Sequence, residues 1–156
     1  MSKSLARVTA ALQAAGLSIT PLEVPSETRT AQQAATAAGV ALDQIVKSIL
    51  FAGATTGRLY LFLTAGGNQV NPDRATALAG EPLTRAEIDA VRRITGFAIG
   101  GVAPVGHLTA LPTWFDPRLL DFPVIWAAAG TPRHIFPIAP ADLHRLTGAN
   151  LAPFTA

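Results

Sequence analysis

Ile45-Val46-Lys47-Ser48-Ile49-Leu50-Phe51 is followed by the glycine-containing turn Gly53 to Gly57 and then by Arg58-Leu59-Tyr60-Leu61-Phe62-Leu63-Thr64. Two runs rich in β-branched, aromatic and leucine residues around a short turn predict a β-hairpin. Side chains on a strand alternate faces, so Lys47 is expected on the same side as Ile45, Ile49 and Phe51. An ammonium on a half-buried face is costly to desolvate unless something negative meets it. Two readings stay open: the stem runs to an edge or an acidic neighbour, or the cation serves a site. The only other lysine is Lys3, close to the N-terminus.

Outward from the hairpin, the chain alternates helix and strand signals. Upstream, Ser4 is read as the cap of a helix over Leu5, Val8, Leu12 and Ala15 that stops at Gly16. Ser18 to Val24 reads as a strand closed by Pro25. Thr30-Ala31-Gln32-Gln33 is a capping box that opens a helix ending at Gly39, and Ala41 to Ile45 adds one helical turn. Downstream, Asn71-Pro72 starts a helix. Thr84-Arg85-Ala86-Glu87 reads as a second capping box ahead of Ile88, Val91 and Ile94. Phe97 to Ile99 is expected as a short strand, and Asp116-Pro117 as a helical turn capped by Asp116. Val124 to Ala128 and His134 to Ile138 form a second hairpin, and Pro140 opens a last helix stopped by Gly148. These elements predict a mixed α/β (α+β) fold, a twisted mixed sheet or barrel-like core surrounded by helices.

Composition narrows the function classes. A chain of 156 residues fits a single domain, 1–156, with one substantial core. It is 49% hydrophobic and 14% charged, which marks a folded protein rather than a disordered one. A net charge of +2 gives no DNA-coating surface, although its arginines can still gather locally. The absence of cysteine removes disulfides, thiolate zinc sites and a cysteine nucleophile together. No apolar run reaches membrane-span length, and the N-terminus lacks a signal-peptide core. The expectation is a soluble cytoplasmic protein without a membrane partner.

The second stretch with chemistry in it is Gly100-Gly101-Val102-Ala103-Pro104-Val105-Gly106-His107. Three glycines let backbone approach a ligand closely, and consecutive N–H groups can form a concave surface for a carbonyl oxygen or an anion. Pro104 stiffens the loop. It is neither a Walker A loop nor a dinucleotide fingerprint, because both spacings are missing.

Thr30-Ala31, Val46-Lys47-Ser48 and Gly100 through His107, followed by Asp116-Pro117-Arg118-Leu119-Leu120 and Val124 to Gly130, resemble the YbaK/EbsC and prolyl-tRNA synthetase-associated domain family. The likeness runs over nearly the whole chain, and the order and spacing of its motifs are more specific than any one of them. It implies a trans-acting or synthetase-inserted editing domain that hydrolyses misacylated tRNA. By the same resemblance, Lys47 holds the tRNA 3′-end and the Gly100 to Pro104 loop (Gly100, Gly101, Val102, Ala103, Pro104) holds the aminoacyl carbonyl. Family members also use an acidic or histidine residue near the last strands, for which His134 is the nearest candidate.

The chemistry of an aminoacyl ester fits such a site. The ester is already activated, so positioning and oxyanion stabilisation matter more than a protein nucleophile. Water or the ribose 2′-hydroxyl then carries the proton or attacks. Neither metal nor cofactor is expected, since the three histidines are far apart. Thr30 and Ser48 could line the aminoacyl pocket with Val105, Gly106 and His107; His107 is read as a supporting group rather than a general base. His134 is read as structural and His144 as solvated. Trp126 and Phe136 are read as core. Arg29, Arg58 and Arg74 could hold an acceptor stem. The partner implied is the acceptor end of a misacylated tRNA, with a synthetase as a further one. Ala, Ser, Thr and Cys esters all remain open as substrates. Two other readings stand beside this one: a non-catalytic tRNA- or synthetase-binding module of the same fold, and a hydrolase of another small ester. A monomer or weak dimer is expected.

Overall fold

The computed structural model describes residues 2–156. Helix α1 (Lys3–Ala14) leads to strand β1 (Leu22–Glu23) and helix α2 (Ala31–Ala38), then to the hairpin β2 (Val46–Gly53) and β3 (Leu59–Ala65). Helix α3 (Pro72–Ala79), strand β4 (Leu83–Arg85), helix α4 (Ile88–Thr95) and strand β5 (Thr113–Phe115) follow. Strands β6 (Ile125–Ala128) and β7 (His134–Ile138), helix α5 (Pro140–Thr147) and strand β8 (Asn150–Leu151) complete the chain. The strands form a five-stranded sheet, β4-β2-β3-β5-β8, and a three-stranded sheet, β1-β7-β6. β2 runs antiparallel to β3 and β4, whereas β3–β5 and β5–β8 are parallel, so the larger sheet is mixed.

β3 is buried along its whole length because both faces of the larger sheet are covered. Leu61, Leu63, Val46 and Phe115 join Ile125, Ala127, Phe136 and Ile138 of the smaller sheet, with Leu5, Val8 and Leu12 of α1, in one core. On the other face Tyr60, Phe62, Trp114, Phe154 and Ala75 of α3 make a second core, in which Phe62 stacks on Trp114 at 5.0 Å.

Both hairpins, the Thr30 capping box, the turn Leu42–Gln44, the Asn71 and Asp116 caps and the last helix stand where the sequence puts them. Four expectations are corrected. Ser2, not Ser4, caps α1: its hydroxyl accepts the Leu5 N–H at 3.0 Å, while Ser4 sits inside the helix and donates to the Gly96 carbonyl. The strand from Ser18 shrinks to Leu22–Glu23, an exposed edge pair bracketed by Pro21 and Pro25, which have no N–H to give a ladder. Thr84 is not a cap but a strand residue, bonded to the Ala52 carbonyl, and α4 begins after Glu87 without a side-chain cap. Phe97 to Ile99 is a turn: the Gly101 N–H closes onto the Ala98 carbonyl at 3.0 Å, and Phe97 is fully buried.

The turn of the first hairpin is fastened by one carboxylate. Glu81 accepts the N–H groups of Thr55 and Thr56, the Thr56 hydroxyl and, at 2.6 Å, the Tyr60 hydroxyl. These donors, Tyr60 first, pull its carboxyl down to about 2. A depressed carboxyl stabilises the fold above its unfolded value of 4.5 and loses that contribution as pH falls toward 2. Glu81→Gln is therefore expected to flatten the fall in thermal midpoint across that window. Equal acid sensitivity of the two proteins would show that the clamp is not linked to folding.

Candidate active site

Strand geometry leaves a gap in the larger sheet beside Lys47. In β3 the Leu61 N–H and Leu63 carbonyl point toward β5, bonding the Pro112 carbonyl at 3.0 Å and the Asp116 N–H at 2.9 Å. Tyr60, Phe62 and Thr64 therefore turn their backbone groups to Phe51, Ile49 and Lys47 of β2. Val46, Ser48 and Leu50 turn theirs to the opposite edge. That edge is covered at Ile45 by a bridge to Trp126 and from Phe51 onward by β4. Between those two contacts no strand among the described residues pairs with β2 on that side.

A cavity of about 600 Å³ opens on this uncovered edge. Ile45 and residues 46–50 of β2 all line it, because it meets the rim of the sheet rather than one face. Arg85 and Ala86 close one end, and Trp126, Ala127 and Ala128 the other. Thr28, Arg29, Thr30, Ala31 and Ala34 come from α2 and its approach, and Ile99, Gly100 and Val102 from the glycine loop. Arg29 and Arg85 are both exposed at its border. Glu27 pairs with Arg29 at 2.6 Å, and Arg85 has no ion-pair partner among the described residues.

Lys47 sits in a polar row that crosses the larger sheet. Its register partner is Thr64, and the parallel register Leu63–Phe115 places Asp116 on the next rung. The Lys47 ammonium donates to the carbonyl of Asn68, whose side-chain amide donates to Asp116 at 2.9 Å. Burial lowers the proton affinity of the amine, and the charges of Asp116 and Asp43 oppose that shift. Asp116 is 2% exposed and also accepts the N–H groups of Ala65 and Arg118, both at 3.0 Å. Its role as a cap is thus only one of three.

The glycine loop is held from behind by α1. Arg7 donates to the Gly106 carbonyl at 3.1 Å and the Gly96 carbonyl at 2.6 Å, and its guanidinium lies 5.0 Å from the Phe97 ring centre. Of the loop, Gly100 and Val102 reach the cavity, while Ala103, Pro104 and Val105 are buried beneath it. Gly101 spends its N–H within the turn, and its backbone packs against Thr131. Gly106 has φ +78°, and a Cβ there would sit 3.1 Å from the Arg7 carbonyl. Gly106→Ala is expected to cost about 1–3 kcal/mol in urea unfolding, from left-handed strain and the displaced contact. A cost near zero would mean the loop is not fixed by α1.

The histidines lie elsewhere. His107 Nε2 is 2.5 Å from the Ala103 carbonyl, which can only accept, so Nε2 carries the proton. Its buried Nδ1 has no partner among the described residues, and burial, with Arg7 nearby, pushes the imidazole down. It braces the loop from inside, away from the cavity lining. His134 bonds the Thr131 hydroxyl through Nδ1 at 2.7 Å and faces a second, separate pocket with Ser2 and Arg133. His144, expected in solvent, is half-buried and meets the Phe115 ring edge-on at 5.3 Å. Trp126 is a half-buried wall of the cavity as well as a packing residue, whereas Phe136 is core. Arg74 is occupied by the carbonyls of Pro153 and Thr155, and neither it nor Arg58 lines the cavity. Sequence reasoning missed Arg85, Ile99 and the alanines. Only the Arg85 charge could have drawn notice, and in the sequence it stands inside an apparent capping box. Among the described residues no helix is long and apolar enough to cross a membrane.

Comparison with known proteins gives consistent matches. The family model described as the aminoacyl-tRNA editing domain matches residues 25–146. The uncharacterized protein YwhH of Bacillus subtilis (strain 168) is 27% identical over 121 residues, which is 78% of this chain and 76% of that protein. A solved structure described as a candidate trans-editing enzyme for prolyl-tRNA synthetase is 47% identical. The alignment covers 100% of this chain and 99% of that one, with a TM-score of 0.92. The hypothetical protein APE2540 is 28% identical over 96% of this chain and 99% of its own, with a TM-score of 0.87.

Proposed function

Because the chain belongs to the aminoacyl-tRNA editing domain family, we propose that it is a trans-acting hydrolase that removes a small amino acid, such as Ala, Ser, Thr or Cys, from misacylated tRNA in the cytoplasm. The observation that carries this reading is the cavity on the open edge of β2, where Lys47, Gly100 and Val102 meet within the matched segment. An ester in that cavity is screened from bulk water by apolar walls, which strengthens every polar contact made to it.

In this mechanism the tRNA 3′-end enters past Arg29 and Arg85; the Arg85 charge draws in phosphate, and Arg29 adds to it by exchanging Glu27 for a phosphate oxygen. The Lys47 ammonium exchanges the Asn68 carbonyl for a phosphate or ribose oxygen of the terminal nucleotide. Loop N–H groups beyond Gly101, beginning with Val102, stabilise the oxyanion as the carbonyl carbon becomes tetrahedral. Water attacks, with the ribose 2′-hydroxyl carrying the proton to the leaving 3′-oxygen. No side chain needs to form a covalent intermediate.

The deciding experiment is deacylation of tRNAs charged with Ala, Ser, Thr, Cys and Pro. Hydrolysis of a small-residue ester, with the prolyl ester spared, is the expected result. No hydrolysis with retained tRNA binding would assign instead a binding module of the same fold. Equal hydrolysis of small esters that lack tRNA would assign a general esterase.

A further inference from the structure

The gap in the larger sheet is a hydrogen-bonding site made of main chain. Ser48 directs both its N–H and its carbonyl toward the edge that no strand covers, and it lines the cavity. Its neighbours Lys47 and Ile49 use theirs on β3. The uncovered stretch lies between the Trp126 bridge at Ile45 and the β4 pairing at Phe51. The parallel bridge at Ile45 engages the outward backbone of Val46, and the Phe51–Arg85 pair engages that of Leu50, so Ser48 is the residue of the stretch left with both groups open. That opening suits a ligand one residue long.

Such a ligand must offer an acceptor and a donor at the spacing of a peptide residue's carbonyl and nitrogen. An α-amino acyl ester has both. We infer that Ser48, through its main-chain N–H and carbonyl, is the subsite for the aminoacyl group, pairing with it as one residue of a β-ladder pairs with another. The Ser48 carbonyl accepts a hydrogen bond from the substrate α-ammonium. The Ser48 N–H donates to the ester carbonyl, as a second donor beside the glycine loop. Residues directly opposite in such a pair carry side chains on one face. The amino acid side chain therefore lies on the Ser48 face, with Val46 and Leu50. This subsite rests on the editing reading, and it restricts the substrate class to esters with a free α-amino group.

The test uses the wild-type protein and one tRNA charged with alanine. Nitrous acid converts the alanyl amine to a hydroxyl and leaves the ester in place; acetic anhydride acetylates it. The charge-assisted bond to the Ser48 carbonyl is lost in both products. The expected drop in kcat/KM is about 10- to 100-fold for the hydroxy ester, and more for the acetylated one, which must also fit extra bulk into the gap. Rates within about twofold of the alanyl ester for both products would overturn the subsite and leave the editing function standing. No hydrolysis of the alanyl ester or of any other charged tRNA would overturn the editing reading, and the subsite with it. Ser48→Pro adds a second readout. It deletes the N–H on the side away from β3, where a strand tolerates proline. The folded variant should hydrolyse the alanyl ester at least tenfold more slowly while keeping the preference for the amine. An unchanged rate would overturn the donor half of the subsite. The analogue comparison on wild type decides the acceptor half whether or not the variant folds.

Discussion

Lys47→Met is expected to lower kcat/KM for the edited ester by about 10- to 100-fold and to leave the protein folded. The loss corresponds to the one charge-assisted hydrogen bond that the proposed mechanism gives the ammonium with the tRNA 3′-end. Methionine keeps the stem that runs along β2 and removes only the charge. The stability of the variant carries a second sign. Burial lowers the Lys47 pKa below its ordinary 10.5, so the folded state holds the charged form at a cost. The unfolded chain binds more protons through that window, so wild-type stability rises as pH approaches 10.5. Lys47→Met should lack that rise and should be no less stable than wild type near neutrality. An active Lys47→Met protein would remove the lysine from the mechanism and leave it as a strut between β2 and Asn68.

Asp116→Ala is expected to be the most damaging single change to the fold, at about 3–5 kcal/mol by urea unfolding. It would orphan the buried Ala65 N–H, the Asn68 amide and the Arg118 N–H at once. The end of β3 and the start of the turn Pro117–Asp121 would both lose their fastening. Asp116→Asn keeps an acceptor oxygen but adds a donor facing donors, so about 1–2 kcal/mol is expected. A cost below about 1 kcal/mol for alanine would mean that water replaces the carboxylate without strain. Because Asn68 presents its carbonyl to Lys47, the alanine variant should also weaken deacylation.

The parts of this molecule legible in its sequence are those with a local cause. Thr30 with Gln33, Asn71 before Pro72 and Asp116 before Pro117 each announce a turn or helix through hydrogen bonds spanning two or three residues. The Lys47 hairpin was legible because apolar runs on both sides of a glycine turn leave few alternatives. β4, β5 and β8 were not, since two or three residues carry no period and owe their pairing to neighbours far along the chain. Phe97 to Ile99 looked like a strand because burial, not pairing, selects its apolar residues. At the site, Lys47, Thr30, Ser48, Gly100 and Val102 were nameable in advance and do converge on one cavity. Gly101, Ala103, Pro104, Val105, Gly106 and His107 do not line it, because sequence alone does not say which side of a loop faces a cavity, and His134, named only through the resemblance, faces a separate pocket. The gap beside Ser48 was invisible, being an absence of pairing that only the complete sheet order defines.

That gap also sets how the strand breathes. Backbone amides that lock onto β3 at Lys47 and Ile49 should exchange with deuterated solvent only when the hairpin opens. The amide of Ser48, between them in sequence, faces the cavity and should exchange far sooner. One residue in the middle of a rigid strand would then report, by its isotope label, whether the cavity is empty or filled.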